Sequence, residues 1–313
     1  MTKEIEDKLE QIPIINILVR FGKKIKVPGL EGMSLYDVLE MYAIGIVKGA
    51  LTTRAGGIAY SFFMAVFPFL LFILTLINYI PIDGFQDALM EFIKDALPPE
   101  TFGAVKPILD DIILNQNNGL LSFGFIASIF LMTNGVNAIF GGFEYSYHVK
   151  EVRNVVRAYF ISLGVSIVMT LFLMLTVALS IFYGIGLKKL NTENFIVSDF
   201  WLKFGTGILF VFMIFTIISM LYHFGTKSGK YSSFFSPGAI FTTVLSIFTF
   251  YLFSIYVTEF SKYNELYGSI GTLLILMLFV WLNAIILLLG FELNASIYSL
   301  RRRNKTFTTP KKL

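Results

Sequence analysis

The sequence predicts an all-α polytopic membrane protein, with six transmembrane helices, an N-terminal interfacial helix and an outer helical hairpin. Three observations carry that reading. Of the 313 residues, 56% are hydrophobic and only 15% are charged, at a mean hydropathy of +0.73, whereas a soluble domain carries about 25% charged residues to cover its surface. Six apolar runs reach the ~20 residues that a helix needs to cross the hydrocarbon core. The basic residues segregate: nineteen of the 25 Lys and Arg lie on one side of those runs and six in the opposite loops. That bias predicts a multi-pass protein of the cytoplasmic membrane with both termini in the cytoplasm.

Segment 1–54 is mixed and charged, and no apolar stretch in it is followed by a small-residue cleavage site, so no cleavable leader is expected. Within it Leu35, Val38, Leu39, Tyr42 and Ile46 recur at helical spacing behind Ser34 and Asp37, a capping pair. This predicts a helix lying on the cytoplasmic interface. The membrane domain, 55–300, comprises the runs Ala55 to Ile80, Leu120 to Phe143, Ala158 to Gly186, Phe204 to Phe224, Pro237 to Val257 and Ile270 to Ala295.

The first run opens RAGGIAYSFF and carries Pro68 at its middle. Glycines and an interior proline weaken a helix in water. In lipid, small residues let helices approach, so Gly57 with Ser61 and Ala55 with Ala59 are predicted packing pairs, and neighbouring groups can re-satisfy the carbonyl freed by Pro68. Arg54, at the cytoplasmic end, is expected to reach the lipid headgroups. Between the first two runs, 81–118 places Phe85, Leu89, Phe92, Ile93 and Leu97 on one face, then Pro98 and Pro99, then Val105, Ile108, Leu109, Ile112 and Ile113 on another. That pattern predicts an amphipathic hairpin outside the membrane. Its Asp83, Asp87, Glu91 and Asp95 read as a solvated face or as a cation-attracting rim. The chain closes with the basic tail 301–313, whose Arg301, Arg302 and Arg303 are expected to bind anionic headgroups.

Polar residues inside the spans are the candidates for function. In the second run Asn134, Asn137, Gly141, Glu144 and His148 fall on one helical stripe. They read either as the lining of a substrate path or as interhelical hydrogen-bonding groups, with Glu144 and His148 at the interface beside Lys150 or Arg153. In the last run Asn283, Gly290 and Asn294 share a stripe, and Glu292 is the one carboxylate well inside an apolar run. It reads as a functional carboxylate or as the partner of Arg54 or Arg301.

Several stretches resemble the YihY/BrkB family of membrane proteins, formerly called ribonuclease BN-like. They are Arg54-Ala55 with Ala59-Tyr60-Ser61, Phe67-Pro68, Phe143-Glu144-Tyr145 with Glu151 and Arg153, Ser236-Pro237-Gly238-Ala239, Phe253 to Tyr256, Tyr267 to Gly271, Trp281, and Leu289 to Ala295. The resemblance covers about residues 35 to 300. It implies six helices in the cytoplasmic membrane, no established catalytic residues, and a role as a transporter or envelope protein, the ribonuclease label being a misassignment. Asn283 departs from the pattern, where many relatives carry an aromatic residue.

Three function classes follow. A transporter or flippase-like protein would move a small solute or lipid along Asn134, Asn137, Gly141, Glu144, Asn283, Glu292 and Asn294. With no G-x-x-x-x-G-K-[ST] loop, its transport would be passive or gradient-driven. A non-transporting scaffold for envelope integrity would bind lipid or another membrane protein through the hairpin and the tail. An enzyme is not expected: cysteine is absent, His148 and His223 are the only histidines, and no H-E-x-x-H or mid-span aspartate pair exists, which leaves only a Ser/His dyad open. No metal or cofactor is expected. The expected partners are membrane lipids and a small-molecule or lipid substrate, and no nucleic acid, because no arginine- and aromatic-rich surface is present. Oligomeric state is not legible.

Overall fold

The computed structural model describes residues 22–26, 34–48, 50–77, 118–149, 151–192, 199–227, 233–259 and 269–308, with isolated positions between 87 and 110. The predicted outer hairpin and its acidic face therefore lie largely outside the described residues. Seven helices are named here: α1 Leu35–Lys48, α2 Leu51–Ile77, α3 Asn118–Glu144, α4 Val155–Thr192, α5 Asp199–Phe224, α6 Pro237–Glu259 and α7 Ser269–Thr308. No strand is formed among the described residues.

Five of these helices are long and apolar enough to cross a membrane, over Ser122–Glu144, Val155–Gly184, Trp201–Phe224, Pro237–Tyr256 and Leu273–Leu300. They match the second to sixth predicted runs. α2 covers the first run with 27 residues and continues through Pro68 to Ile77. The fold is thus all-helical and polytopic. α7 has 40 residues and would measure ~60 Å at 1.5 Å per residue, so the backbone of Arg301 to Arg303 extends the last helix instead of starting a separate tail. The side chains of those three arginines lie outside the described ones.

α1 starts as its sequence dictates. Ser34 donates through both its backbone N–H and its hydroxyl to Asp37 Oδ2 at 2.8 Å, while the Asp37 N–H returns a bond to Ser34 Oγ at 3.3 Å. This reciprocal cap satisfies donors that the first turn leaves orphaned. Val38 and Leu300 then form a small buried cluster with Leu293 and Ile297, which lays α1 along the end of α7. Ala50 joins α1 to α2 at φ 45°, a left-handed conformation that costs a non-glycine residue ~1–2 kcal/mol.

The long helices close a ring. α2 packs on α3, α3 on α4, α4 on α5, α5 on α6, α6 on α7, and α7 returns to α2. Burial along the ring is one-sided. In α5, α6 and α7 every buried residue among the described ones lies in the half next to the basic flanks, from Ile218, from Gly238 to Thr243, and from Ala284 onward. That half is called the basic end here, and the opposite half the far end. The core at the basic end is aromatic: Phe143 stacks on Phe291 with centroids 4.2 Å apart, and Tyr222 meets both rings at 5.5 and 6.1 Å. α6 and α7 cross on glycine. A Cβ on Gly238 would run into the Gly290 carbonyl and Asn294, and one on Gly290 would strike Thr242 and Tyr222.

Packing in α2 differs from the expectation. Ala55 and Ala59 are buried at 0% and 1% exposure with Ile58 and Ala65 between and beyond them. Gly57 is exposed, a Cβ there would meet nothing within 4 Å, and Ser61 bonds back to the Gly57 carbonyl at 3.0 Å. The Gly57 and Ser61 pair lies one residue step around the helix from the contact face, and only the alanine pair packs.

Candidate functional site

The basic end holds a charged knot built from three helices. Arg54, one turn into α2, points inward: Nη2 donates to Glu292 Oε1 on α7 at 2.8 Å, and Nη1 donates to the Gly142 carbonyl of α3 at 2.7 Å. Ser146, just past the end of α3, donates to Glu292 Oε2 at 2.8 Å. Both carboxylate oxygens are thus engaged, and the side chains of Arg54 and Glu292 are 6% and 0% exposed. Arg54 is therefore not a headgroup ligand, because its guanidinium is held by a buried carboxylate. Of the two partners weighed for Glu292, Arg54 is paired with it, and the Arg301 side chain lies outside the described residues.

The knot is not fully satisfied. Arg54 Nε and Ser296 Oγ, the latter one turn beyond Glu292, are buried with no hydrogen-bond partner among the described residues. An orphaned buried group costs about 1–3 kcal/mol unless water reaches it. Above the knot toward α1 lies Tyr42, whose phenol is pushed up to about 12 by burial and, second, by the charge of Glu292.

A second polar cluster stands beside it. α3 ends at Glu144, and the chain turns at once, with Ser146 N–H on the Phe143 carbonyl and Val149 N–H on the Ser146 carbonyl, both at 3.1 Å. His148 therefore leaves the α3 stripe, sits buried in the turn, and donates its backbone N–H to Ser146 Oγ at 3.3 Å. Glu144 accepts the Arg153 N–H at 3.2 Å and lies 3.9 Å from its Nε. The Arg153 guanidinium also bonds the Thr226 carbonyl and lies over the Phe140 ring at 5.8 Å. Burial pushes that guanidinium below its usual pKa, with Glu144 acting against the shift.

The remaining predicted path residues are dispersed. Asn294 is buried and occupied structurally: its Oδ1 accepts the Gly238 N–H at 2.8 Å and its Nδ2 donates to Ser236 Oγ at 2.9 Å, which caps α6 from a neighbouring helix. Asn137 Oδ1 accepts from Ser162 Oγ at 3.4 Å, and Asn283 bonds the Phe279 carbonyl of its own helix at 2.9 Å. Asn134 is half-buried, and a Cβ on Gly141 would meet open space. The seven residues thus form no single strip. α3 and α7 do meet, but through Phe143 stacked on Phe291 and, just past the end of α3, Ser146 bonded to Glu292.

Two contributors escaped the sequence reading. Ser146 lies two residues past Glu144, and the hydroxyl beside a helix end was its only signal. Tyr222 bonds Thr242 Oγ1 at 2.6 Å and donates to the Leu287 carbonyl at 2.7 Å, tying α5, α6 and α7 together. A tyrosine among many aromatics of an apolar run gives no such warning.

Comparison with known proteins fits this architecture. The family model described as virulence factor BrkB matches residues 45–312. The ribonuclease-like protein YfkH of Bacillus subtilis (strain 168) is 32% identical over 256 residues, covering 80% of this chain and 91% of the relative. A UPF0761 membrane protein of Aggregatibacter aphrophilus (strain NJ8700) is 25% identical over 257 residues, covering 81% and 89%. One of Aliivibrio fischeri (strain MJ11) is 26% identical over 258 residues, covering 80% of each chain. No solved structure matches. The match spans α2 to α7, including every residue of the knot, and the chain belongs to the virulence factor BrkB family of membrane proteins.

Proposed function

We propose that the protein crosses the cytoplasmic membrane six times, with α2 as its first span and both termini in the cytoplasm, and that it moves a small solute or a lipid by opening the basic end. The observation that carries this reading is the buried Arg54–Glu292 pair at the closed end of a helix ring. Two packed apolar residues of similar volume would hold the ring at least as well, so stability does not account for an ion pair here. A charged pair with orphaned neighbours is suited to two states, paired when closed and hydrated when open. Asn134 and Asn283 stand ~15 Å and ~13 Å along their helices from Glu144 and Glu292, at a common depth beyond the knot. Their half-burial supports a wettable far end.

The same reading takes the protein as non-enzymatic. Glu144 and Glu292 each face an arginine, which supports a structural or gating charge over a free carboxylate. The ribonuclease-like name is that of the Bacillus relative. A scaffold that binds lipid or another membrane protein is the second reading. It is favoured by the structural partners of Glu292, Glu144, Asn137 and Asn294, which leave few polar groups free for a substrate.

Because the chain has no cysteine, single cysteines at 134, 137 and 283 test the choice. For a transporter, a small water-soluble thiol reagent should reach them from the far side only, and Glu292→Gln should open 283 to the basic side as well. Three unreactive cysteines from both sides, in folded protein, would end the transport reading in favour of the scaffold.

A further inference from the structure

Along the outside of α5 runs a groove of about 580 Å³, lined among the described residues by one helical face that includes Lys203, Phe204, Gly207, Val211, Phe212 and Phe215. Gly207 forms its floor, since a Cβ there would meet nothing within 4 Å. On the α4 side Phe172 meets Phe212 edge-on at 6.3 Å. The inner end is closed where Phe215 packs on Phe235 at 5.3 Å and Phe234 at 6.2 Å. At the far end Trp201 is exposed and its carbonyl accepts the Tyr183 hydroxyl at 2.8 Å, an aromatic pair of the kind that sits at headgroup depth. A Cβ on Gly205 would clash with the Tyr183 ring, so α4 and α5 are pinned together at this level.

Dimensions decide the occupant. From Lys203 to Phe215 is ~18 Å of helix, close to one leaflet of a hydrocarbon core ~30 Å thick. About 580 Å³ spread over that length is a cross-section of roughly 30 Å², the girth of one extended alkyl chain. A single alkyl chain fits. Among the described lining residues the one charge is exposed Lys203, at the headgroup end. We propose that this groove seats one acyl chain of an anionic phospholipid from the far-end leaflet, with the Lys203 ammonium on its phosphate. This site is independent of whether anything passes through the ring.

The test places the full chain in phosphatidylcholine bilayers with spin-labelled phosphatidylglycerol or spin-labelled phosphatidylcholine, and reads the motionally restricted label per chain. The anionic label should be held about fivefold more tightly, the effect of one lysine near a headgroup. Lys203→Gln should bring the two labels level. Gly207→Phe should release one restricted lipid of either kind, because the added ring occupies the floor. Equal retention of the two labels by the unmodified protein overturns the proposal, as does a preference that survives Lys203→Gln. If Ile208→Cys forms disulfides between copies and no lipid is retained, a second chain occupies the face and the proposal fails. Lys203 is exposed, so its variant keeps the test decisive even where Gly207→Phe misfolds. Retention and passage are separate readouts, so failure here leaves the transport reading standing, and the reverse.

Discussion

The two ends of the ring are built from different residues. At the basic end of α5, α6 and α7 small and polar residues are interleaved with the buried aromatic and aliphatic ones, with Ser219, Gly238, Ala239, Thr242, Ala284, Gly290, Glu292, Asn294 and Ala295 all buried beside Tyr222, Leu288 and Phe291. The far ends of the same helices carry Ile208, Phe212, Phe248, Phe250, Leu252, Leu273 and Leu278, all exposed. In water this distribution would be inverted. In lipid, apolar bulk gains nothing by leaving the chains around it, and helices are held by close backbone approach and polar partners. The more hydrophobic end is therefore the looser one.

The largest expected difference between the ends comes from breaking the ion pair. Glu292→Gln or Arg54→Met should cost about 3–5 kcal/mol, because each leaves a buried partner uncompensated, whereas Phe248→Ala at the far end should stay within about 0.5 kcal/mol. Unfolding in mild detergent measures both. If the double variant Arg54→Met/Glu292→Met recovers most of the loss, desolvation of the charges outweighs their attraction; a loss as deep as the single variants would reverse that account.

Next come the glycines. Gly290→Ala should destabilise by about 1–3 kcal/mol through overpacking of the α6–α7 crossing. Gly164→Ala on α4, where a Cβ meets open space, should stabilise by roughly 0.5–1 kcal/mol from helix propensity. Equal effects at both sites would erase the contrast in packing. Tyr222→Phe should follow at about 1–2 kcal/mol, since it removes the buried bonds to the Leu287 carbonyl and to Thr242 inside the closed end. Its accompanying signature is faster hydrogen exchange in the basic-end halves of α5 to α7 with no change at their far ends.

The remaining effect concerns α1 and depends on pH. The Tyr42 phenol titrates near 10.0 in the unfolded chain and at about 12 in place. The folded state thus holds this proton more tightly, and its contribution to docking α1 is complete below pH 10 and lost as pH rises through 12. Exchange of residues 35–48 should therefore speed up across that window, and Tyr42→Phe should flatten the rise. An unchanged alkaline rise in the phenylalanine variant would remove Tyr42 from the docking contact.

Much of the fold was legible because its signals are local. Run length gave the five helices long and apolar enough to cross a membrane, and Ser34 with Asp37 announced the start of α1 by their own spacing. The site was legible by residue type but not by arrangement. Glu292, Asn294 and Asn137 stood out as polar groups in apolar runs, yet a helical stripe says which residues share a face and not which neighbour that face meets. Asn294 was expected to line a path and instead caps α6, because its partners, the Gly238 N–H that donates to it and the Ser236 Oγ that accepts from it, lie 56 and 58 positions away in the chain. His148 was misplaced for a different reason: the stripe was extended past Glu144, where the backbone turns. Gly57 failed by one step around the helix, since two overlapping small-residue pairs in RAGGIAYS offer two faces and composition alone does not choose.

α7 is one uninterrupted rod of 40 residues, and Glu292 is rigidly coupled to whatever holds its last turns. The sixteen residues from Glu292 to Thr308 give an arm of ~24 Å, so a tilt of 10° about the carboxylate sweeps the tip through about 4 Å. Mechanically the helix is a lever with its fulcrum at the ion pair. Force applied to the basic tip, by a membrane surface or by another molecule, is delivered as torque on the Arg54 contact, and any slackening of that contact is returned as displacement at the tip.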